Sequence, residues 1–172
     1  LVPGGVLIVR SSAAGEDSHE ASFAGQLDSI AQVTTPDQLE QALRACWASY
    51  WSERSLAYQR ARAVPLGGMG VIVQQQVAAQ VSGVLFTRSP DNEAVMLVEY
   101  CFGAGELLVS GRVNPGRITI AREGLQMREL AVPEQTGSTV LDQQCLQQLA
   151  HAAITLEREL GHAQDIEWCI DA

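Results

Sequence analysis

The sequence predicts an α+β fold, a mostly antiparallel sheet with two long helices. Two patterns carry that expectation. Strand-like runs follow one another through the middle of the chain with no helix between them, and two long segments repeat apolar residues at helical spacing beside recognisable start or stop signals.

The elements follow in order. Gly4 to Arg10 is a short apolar run rich in β-branched residues and reads as a strand. Ser11 to Ser22 is small and polar and reads as a loop. Phe23 to Val33 alternates in part and suggests one or two short strands. Thr35 can cap a helix whose first position suits Pro36, because no amide donor is needed there. Leu39, Leu43, Cys46, Trp47 and Tyr50 then recur at helical spacing, so this helix is expected to run to about Arg62, before Pro65, with Trp47 and Tyr50 in the core.

Gly70 to Val77 and Gly83 to Thr87 read as strands joined by a short turn, and Ala94 to Tyr100 as another, ended by Gly103 to Glu106. Arg117 to Ala121 and Leu125 to Val132 predict a hairpin around Glu123-Gly124. A second helix is expected over about Val140 to Leu160. Its proposed apolar stripe is Leu141, Cys145, Leu149, Ala152, Leu156 and Leu160, and Gly161 is its stop. Asp165 to Asp171 is the last strand.

With 172 residues and 18.5 kDa, the chain is expected to be a single domain over 1–172. Its formal charge of −9 disfavours nucleic-acid binding and a basic membrane-surface patch. All 11 basic residues are arginine. The absence of lysine excludes a Walker loop and a Schiff-base mechanism. The four cysteines form no CxxC pair, so reduced, mostly buried thiols in a cytoplasmic protein are expected. No apolar run is long enough to be a membrane span.

Four local patterns could carry chemistry. In Asp165-Ile166-Glu167, strand alternation puts both acids on one face and Ile166, Trp168 and Ile170 on the other. Such paired hard oxygen ligands suit magnesium held jointly with phosphate; a plain exposed acidic face is the competing account. Arg10, at a strand end before Ser11-Ser12, offers a fork of donors to a phosphate. In Ser22-Phe23-Ala24-Gly25-Gln26, small residues would let backbone amides approach phosphate oxygens. An ordinary loop with Arg10 paired to Glu16 or Asp17 explains the same residues. The strand ending in Gln74, Gln75, Gln76 and Val77 could border a base, or be solvated. Gly103-Ala104-Gly105-Glu106 is not a dinucleotide fingerprint, since Leu108 occupies the third glycine position; a tight turn accounts for it equally well. His151 and His162 read as surface or packing residues, and Arg54, Tyr58 and Arg60 as a solvated polar edge.

Taken in order, VRSSAAGEDSHEASFAGQ, CWASYWSERSLAYQR, VIVQQQV, SGVLFTRSP, GAGELLVSGRVNP and QDIEWCID resemble the ATP-binding domain of phosphoenolpyruvate synthase and pyruvate phosphate dikinase, which the rifampicin phosphotransferases share. The resemblance implies an ATP-grasp fold using ATP and Mg2+. On it, Arg10 is the phosphate-binding arginine with a catalytic role. Ser22, Ala24, Gly25 and Gln26 lie over the phosphates, and Gln74, Gln76 and Val77 flank adenine. Glu106 supports the nucleotide pocket, and Asp165 and Glu167 hold the metal. Gln76 stands where the family has methionine, and Gly116 where it commonly has aspartate.

The family's nucleotide lysine lies in a preceding lobe, and a Leu-Gln-x-Arg-Pro segment follows its DIEW strand. The chain therefore resembles the C-terminal part of an ATP-grasp module. Its implied partners are an N-terminal lobe, a phosphohistidine domain, a substrate-binding domain and a small-molecule acceptor. The implied activity is phosphoryl transfer from ATP to a histidine on another domain and on to pyruvate or a similar acceptor, with the isolated chain inactive. An antibiotic phosphotransferase, or a non-catalytic interaction domain that kept the fold, are the alternatives.

Overall fold

A computed structural model describes residues 5–14, 17, 18, 21, 22, 26–62, 67–109, 111, 113–134 and 141–171. The chain divides into two compact units, Leu1–Gln76 and Val77–Ala172.

In the first unit, β1 (Leu7–Ala13) is the centre of a three-stranded antiparallel sheet between β4 (Ser29–Val33) and β5 (Met69–Gln75). The short β2 (Asp17–Ser18) and β3 (Ala21–Ser22) pair separately. Thus β1 extends three residues past Arg10, and part of the segment read as loop is paired. Leu7, Val9 and Val33 point to one face, where Ala42 and Cys46 of α1 (Pro36–Ser49) cover them. Thr35 caps α1 as expected: its hydroxyl accepts from the Gln38 N–H at 3.2 Å, and the Gln38 side chain accepts in return from the Thr35 N–H.

The helical region reaches Arg62 but is interrupted, and α2 (Glu53–Arg62) starts anew. At the break the amides of Tyr50, Trp51 and Ser52 each turn to the carbonyl three residues back. The Ser52 hydroxyl then accepts from the Ser55 N–H at 3.2 Å, as a helix cap does. The face that α1 turns inward also leaves an expected core residue outside. Trp47 is 47% exposed, while the smaller Ala42, Cys46 and Ser49 face inward. Tyr50 packs beside Leu27.

The second unit is a five-stranded antiparallel sheet in the order β10-β6-β7-β8-β9. Its strands are β6 (Val81–Phe86), β7 (Val95–Phe102), β8 (Gly116–Ala121), β9 (Met127–Ala131) and β10 (Asp165–Ile170). The four-residue α3 (Glu106–Val109) follows the glycine turn after β7. The β8–β9 hairpin forms as expected, turning through Gly124 and Leu125 at φ 74° and 51°. The strands β5 and β6 pair in different sheets, so the turn between them makes no hairpin.

One face of this sheet packs on α4 (Gln143–Leu160), capped by Asp142 and ended by Gly161 at φ 79°. The buried helix positions are Leu146, Ala150, Ala153 and Glu157, not the proposed leucine stripe. That stripe lies about one residue, or 100°, round the helix. Leu146, Ala150 and Ala153 make the apolar contact, and two arginines draw Glu157 inward. Leu156 and Leu160 are consequently exposed.

Two glycines make room for aromatic rings in this core. A Cβ on Gly83 would sit 2.3 Å from the Glu99 carbonyl oxygen and 2.4 Å from the Trp168 ring, and one on Gly116 would sit 2.4 Å from Tyr100.

Candidate functional site

Val9 is buried beneath α1, so the next residue, Arg10, projects from the opposite face of the three-stranded sheet. Arg10 pairs with Ile72 and Ile8 with Gln74, so Arg10 and Gln74 are diagonal neighbours on that face. Gln76 acts as a strut. Its side-chain oxygen accepts from the Gln32 N–H at 2.8 Å, where Gln32 adopts φ 61°. Its own N–H donates to the Val6 carbonyl at 2.8 Å. Val77, the first residue of the second unit, is 42% exposed.

Of the expected phosphate loop, Ala24, Gly25 and the Ser22 side chain lie outside the described residues. Gln26 is described, and its carbonyl accepts from Arg54 Nε at 3.1 Å, while Arg54 Nη2 meets Asp28 at 2.7 Å. The Asp28 N–H donates to the Ser49 hydroxyl at 3.1 Å, and the Cys46 thiol donates to the Asp28 carbonyl at 3.0 Å. Leu27 is buried among Ala13, Tyr50, Tyr58 and Met69. The polar edge of the first helical region is therefore a clamp on the end of the loop. The signal available in the sequence was Arg54 and Tyr58 one turn apart, on a helix whose solvent side needed neither.

In the second unit, Asp165 and Glu167 are exposed on one face of β10, and Ile166, Trp168 and Ile170 turn to the core, as alternation requires. Glu106 is exposed and opens α3, after a turn in which the Ser82 hydroxyl donates to the Gly103 carbonyl at 2.7 Å. Gly103 itself has φ 84°, a conformation open to glycine.

Among the described residues no three His, Cys, Asp or Glu side chains gather closely enough to hold a metal ion by themselves. Two carboxylates on one strand face still fit magnesium, which keeps several waters and takes its other ligands from phosphate oxygens.

The SGVLFTRSP segment is scaffold at its polar end. Arg88 Nε and Arg122 Nη2 each donate to Oε1 of Glu157 at 3.1 Å, and Arg122 Nη1 donates to Oε2 at 2.8 Å. Arg122 also donates to the Thr87 carbonyl. Burial alone would push the Glu157 carboxyl up, but hydrogen bonds from Arg122, Thr87 and Arg88 outweigh it and hold the group below the ordinary carboxylate value. His151 and His162 are exposed, as expected. All four cysteines are free thiols; Cys46 and Cys101 are buried, but Cys169 is exposed beside Glu167's face of β10. No helix among the described residues is long and apolar enough to cross a membrane.

Antiparallel sheets each backed by a helix, with an arginine on the central strand of one and paired edge-strand acids in the other, define part of an ATP-grasp-like module. Residues 4–132 match the family described as pyruvate phosphate dikinase, AMP/ATP-binding domain, and the chain belongs to that family.

Among its relatives is a rifampicin phosphotransferase of Bacillus subtilis, 36% identical over 94% of this chain and 21% of the relative. A probable phosphoenolpyruvate synthase of Archaeoglobus fulgidus is 30% identical over 95% of this chain and 25% of the relative. The prodigiosin synthesizing transferase PigC of Serratia marcescens is 32% identical over 99% of this chain and 22% of the relative. The chain thus spans about a fifth to a quarter of the length of these relatives, from 21% to 25%.

Proposed function

We propose that this chain is the ATP-binding portion of a longer phosphotransferase of the phosphoenolpyruvate synthase type. The observation that carries the reading is the pair Asp165 and Glu167 on one exposed face of β10, in a chain of an ATP-binding family. Arg10 binds phosphate oxygens through its guanidinium, with Gln74 beside it on the same face. The loop ending at Gln26 covers the phosphates, with Ser22, Ala24 and Gly25 contributing backbone contacts, and Arg54 fixes its far end. Gln74 and Val77 border the base, Gln76 holds the end of their strand in place, and Glu106 supports the pocket.

Asp165 and Glu167 hold Mg2+, which when bound neutralises phosphate charge. Phosphoryl transfer depends mainly on positioning and charge stabilisation, so these residues supply part of the nucleotide site and the preceding lobe supplies the rest. The accepting histidine and the site for the final acceptor lie on other domains of the gene product, in the cytoplasm, with pyruvate or a similar small molecule as that acceptor. A rifampicin-type acceptor is the second reading, favoured by the 36% identity to the Bacillus subtilis enzyme against 30% to the Archaeoglobus fulgidus synthase.

The test is calorimetric titration of the full gene product with ATP, with magnesium and with chelator. Magnesium-dependent binding is expected, weakened roughly tenfold or more by Arg10→Ala, the scale of a charged hydrogen bond. Glu167→Gln should remove the magnesium dependence. Affinity indifferent to both variants would overturn the assignment. The isolated chain should not turn over ATP; turnover abolished by Glu167→Ala would refute that part.

A further inference from the structure

The face of the five-stranded sheet turned away from α4 has an ordered distribution of charge. The cross-strand register makes two rows on it. One runs Glu167, Val84, Glu99, Arg117; the other runs Asp165, Phe86, Leu97, Thr119, Arg128. Residues directly opposite in antiparallel strands share a face. Both rows therefore begin with an acid on the edge strand β10 and reach an arginine on β8 or β9.

Arg117 is held by Glu99, with Nε 2.9 Å from Oε1. The arginine side chain is 41% exposed and the glutamate side chain 25%. Yet the Arg117 Nε–H is buried and meets no acceptor at hydrogen-bonding geometry. The contact is thus an ion pair without the alignment of a hydrogen bond, and an oxygen presented in line with the N–H would compete with it.

We infer that Arg117 is a second phosphate-contacting residue, restrained by Glu99 until nucleotide binds. The inference rests on the reading of Asp165 and Glu167 as the magnesium-binding acids. A magnesium–polyphosphate is itself polar, with the cation at one place and anionic oxygens spread away from it. Over this face the cation lies at β10 and the oxygens extend toward β8. Adjacent strands are about 4.8 Å apart, so β10 and β8 are separated by about 14 Å, which a polyphosphate and an arginine reaching back along its row bridge together. Val84, Phe86 and Leu97 lie between and, being apolar, compete for neither charge, while Glu99, the one acid between, is paired with Arg117. With no lysine in the chain, the guanidiniums are the cations available for this contact. Glu99 keeps Arg117 from collapsing onto the β10 acids when no nucleotide is present.

The pair of variants at this contact gives opposite signs. In the full gene product, Arg117→Ala should weaken both MgATP and magnesium tripolyphosphate about tenfold by calorimetry. Arg117→Lys should recover part of that loss while keeping the fold. Glu99→Gln releases the arginine and should tighten both ligands about two- to threefold. Were the ion pair only structural, Arg117→Ala and Glu99→Gln would both weaken binding together with a lowered melting temperature, and the inference would fail. It also fails if Glu167→Gln abolishes magnesium-dependent binding while Arg117→Ala leaves affinity unchanged, a result that spares the assignment of the acids. If Glu167→Gln itself has no effect, the underlying reading fails first and this one with it.

Discussion

The two sheets solve one problem differently. Each must hold a charged side chain on the face opposite its covering helix. The three-stranded sheet does so with hydrogen bonds at its margins: the Thr35 capping box, the Gln76 strut to Gln32, and the Arg54 clamp on Gln26 and Asp28. The five-stranded sheet does so from inside, with Gly83 fitted to Trp168, Gly116 fitted to Tyr100, and Glu157 bound by two arginines under α4. A small sheet has little core to specify its geometry, so polar contacts at its edges supply the specification. A larger one can rely on packing. The first arrangement predicts many small mutational effects, and the second a few large ones.

The largest effect is expected from a single methyl group. Gly83→Ala would place a Cβ 2.3 Å from the Glu99 carbonyl and 2.4 Å from the indole of Trp168. Neither backbone nor a packed ring can yield cheaply, so we expect a loss of about 3 kcal/mol in denaturant unfolding. Gly70→Ala is the counterpart in the first unit, where the new atom meets only the Ser12 carbonyl at 3.4 Å. Its effect should stay within about 0.5 kcal/mol. Equal losses from the two substitutions would erase the contrast between the sheets.

Glu157 comes next. Because its carboxyl lies below the ordinary value when folded, its contribution is present above the unfolded pKa, near 4.5, and is lost as pH falls through the folded value. Stability should therefore drop on acidification below about pH 4.5, and Glu157→Gln should flatten that part of the profile. At neutral pH the substitution should cost about 2 kcal/mol, less than a fully buried pair because Arg88 and Arg122 are 45% and 25% exposed. An acid limb unchanged in Glu157→Gln would show that other carboxylates set it.

These contrasts also show what a one-dimensional reading could reach. Most strands, the Thr35 and Gly161 boundaries and the face shared by Asp165 and Glu167 were legible, because caps and period-two alternation are local. The interruption at Ser52 was written in the sequence as a second capping residue but was hidden by continuous helical periodicity. The α4 stripe misled because leucines outnumber alanines along it, whereas the face turned inward carries Glu157, whose two arginine partners lie far along the chain. Gln76 and Arg54 depend on partners 44 and 28 positions away, which no local pattern reveals. For the same reason the rows linking Glu167 to Arg117 appear only once the register is known.

A smaller effect belongs to the first unit's margin. Thr35→Ala removes a hydroxyl that accepts from an exposed helix terminus, and it should cost about 1 kcal/mol by thermal unfolding. A loss as large as that of Gly83→Ala would mean that the small sheet too is governed by a single contact.

The smallest change in stability should come from the residues with the greatest proposed consequence for binding. Asp165 and Glu167 project from the exposed face of an edge strand, where their neighbours on the same strand carry like charge. Packing does not require them, since Ile166, Trp168 and Ile170 make the core contacts from the other face. Both side chains are exposed, where single polar contacts are worth little, so Asp165→Asn and Glu167→Gln should leave unfolding free energy within about 0.5 kcal/mol of the parent. A residue retained for folding would behave in the opposite way. If either substitution destabilised the protein by as much as Glu157→Gln, its carboxylate would belong to the scaffold, and magnesium binding would have to be sought elsewhere on the sheet.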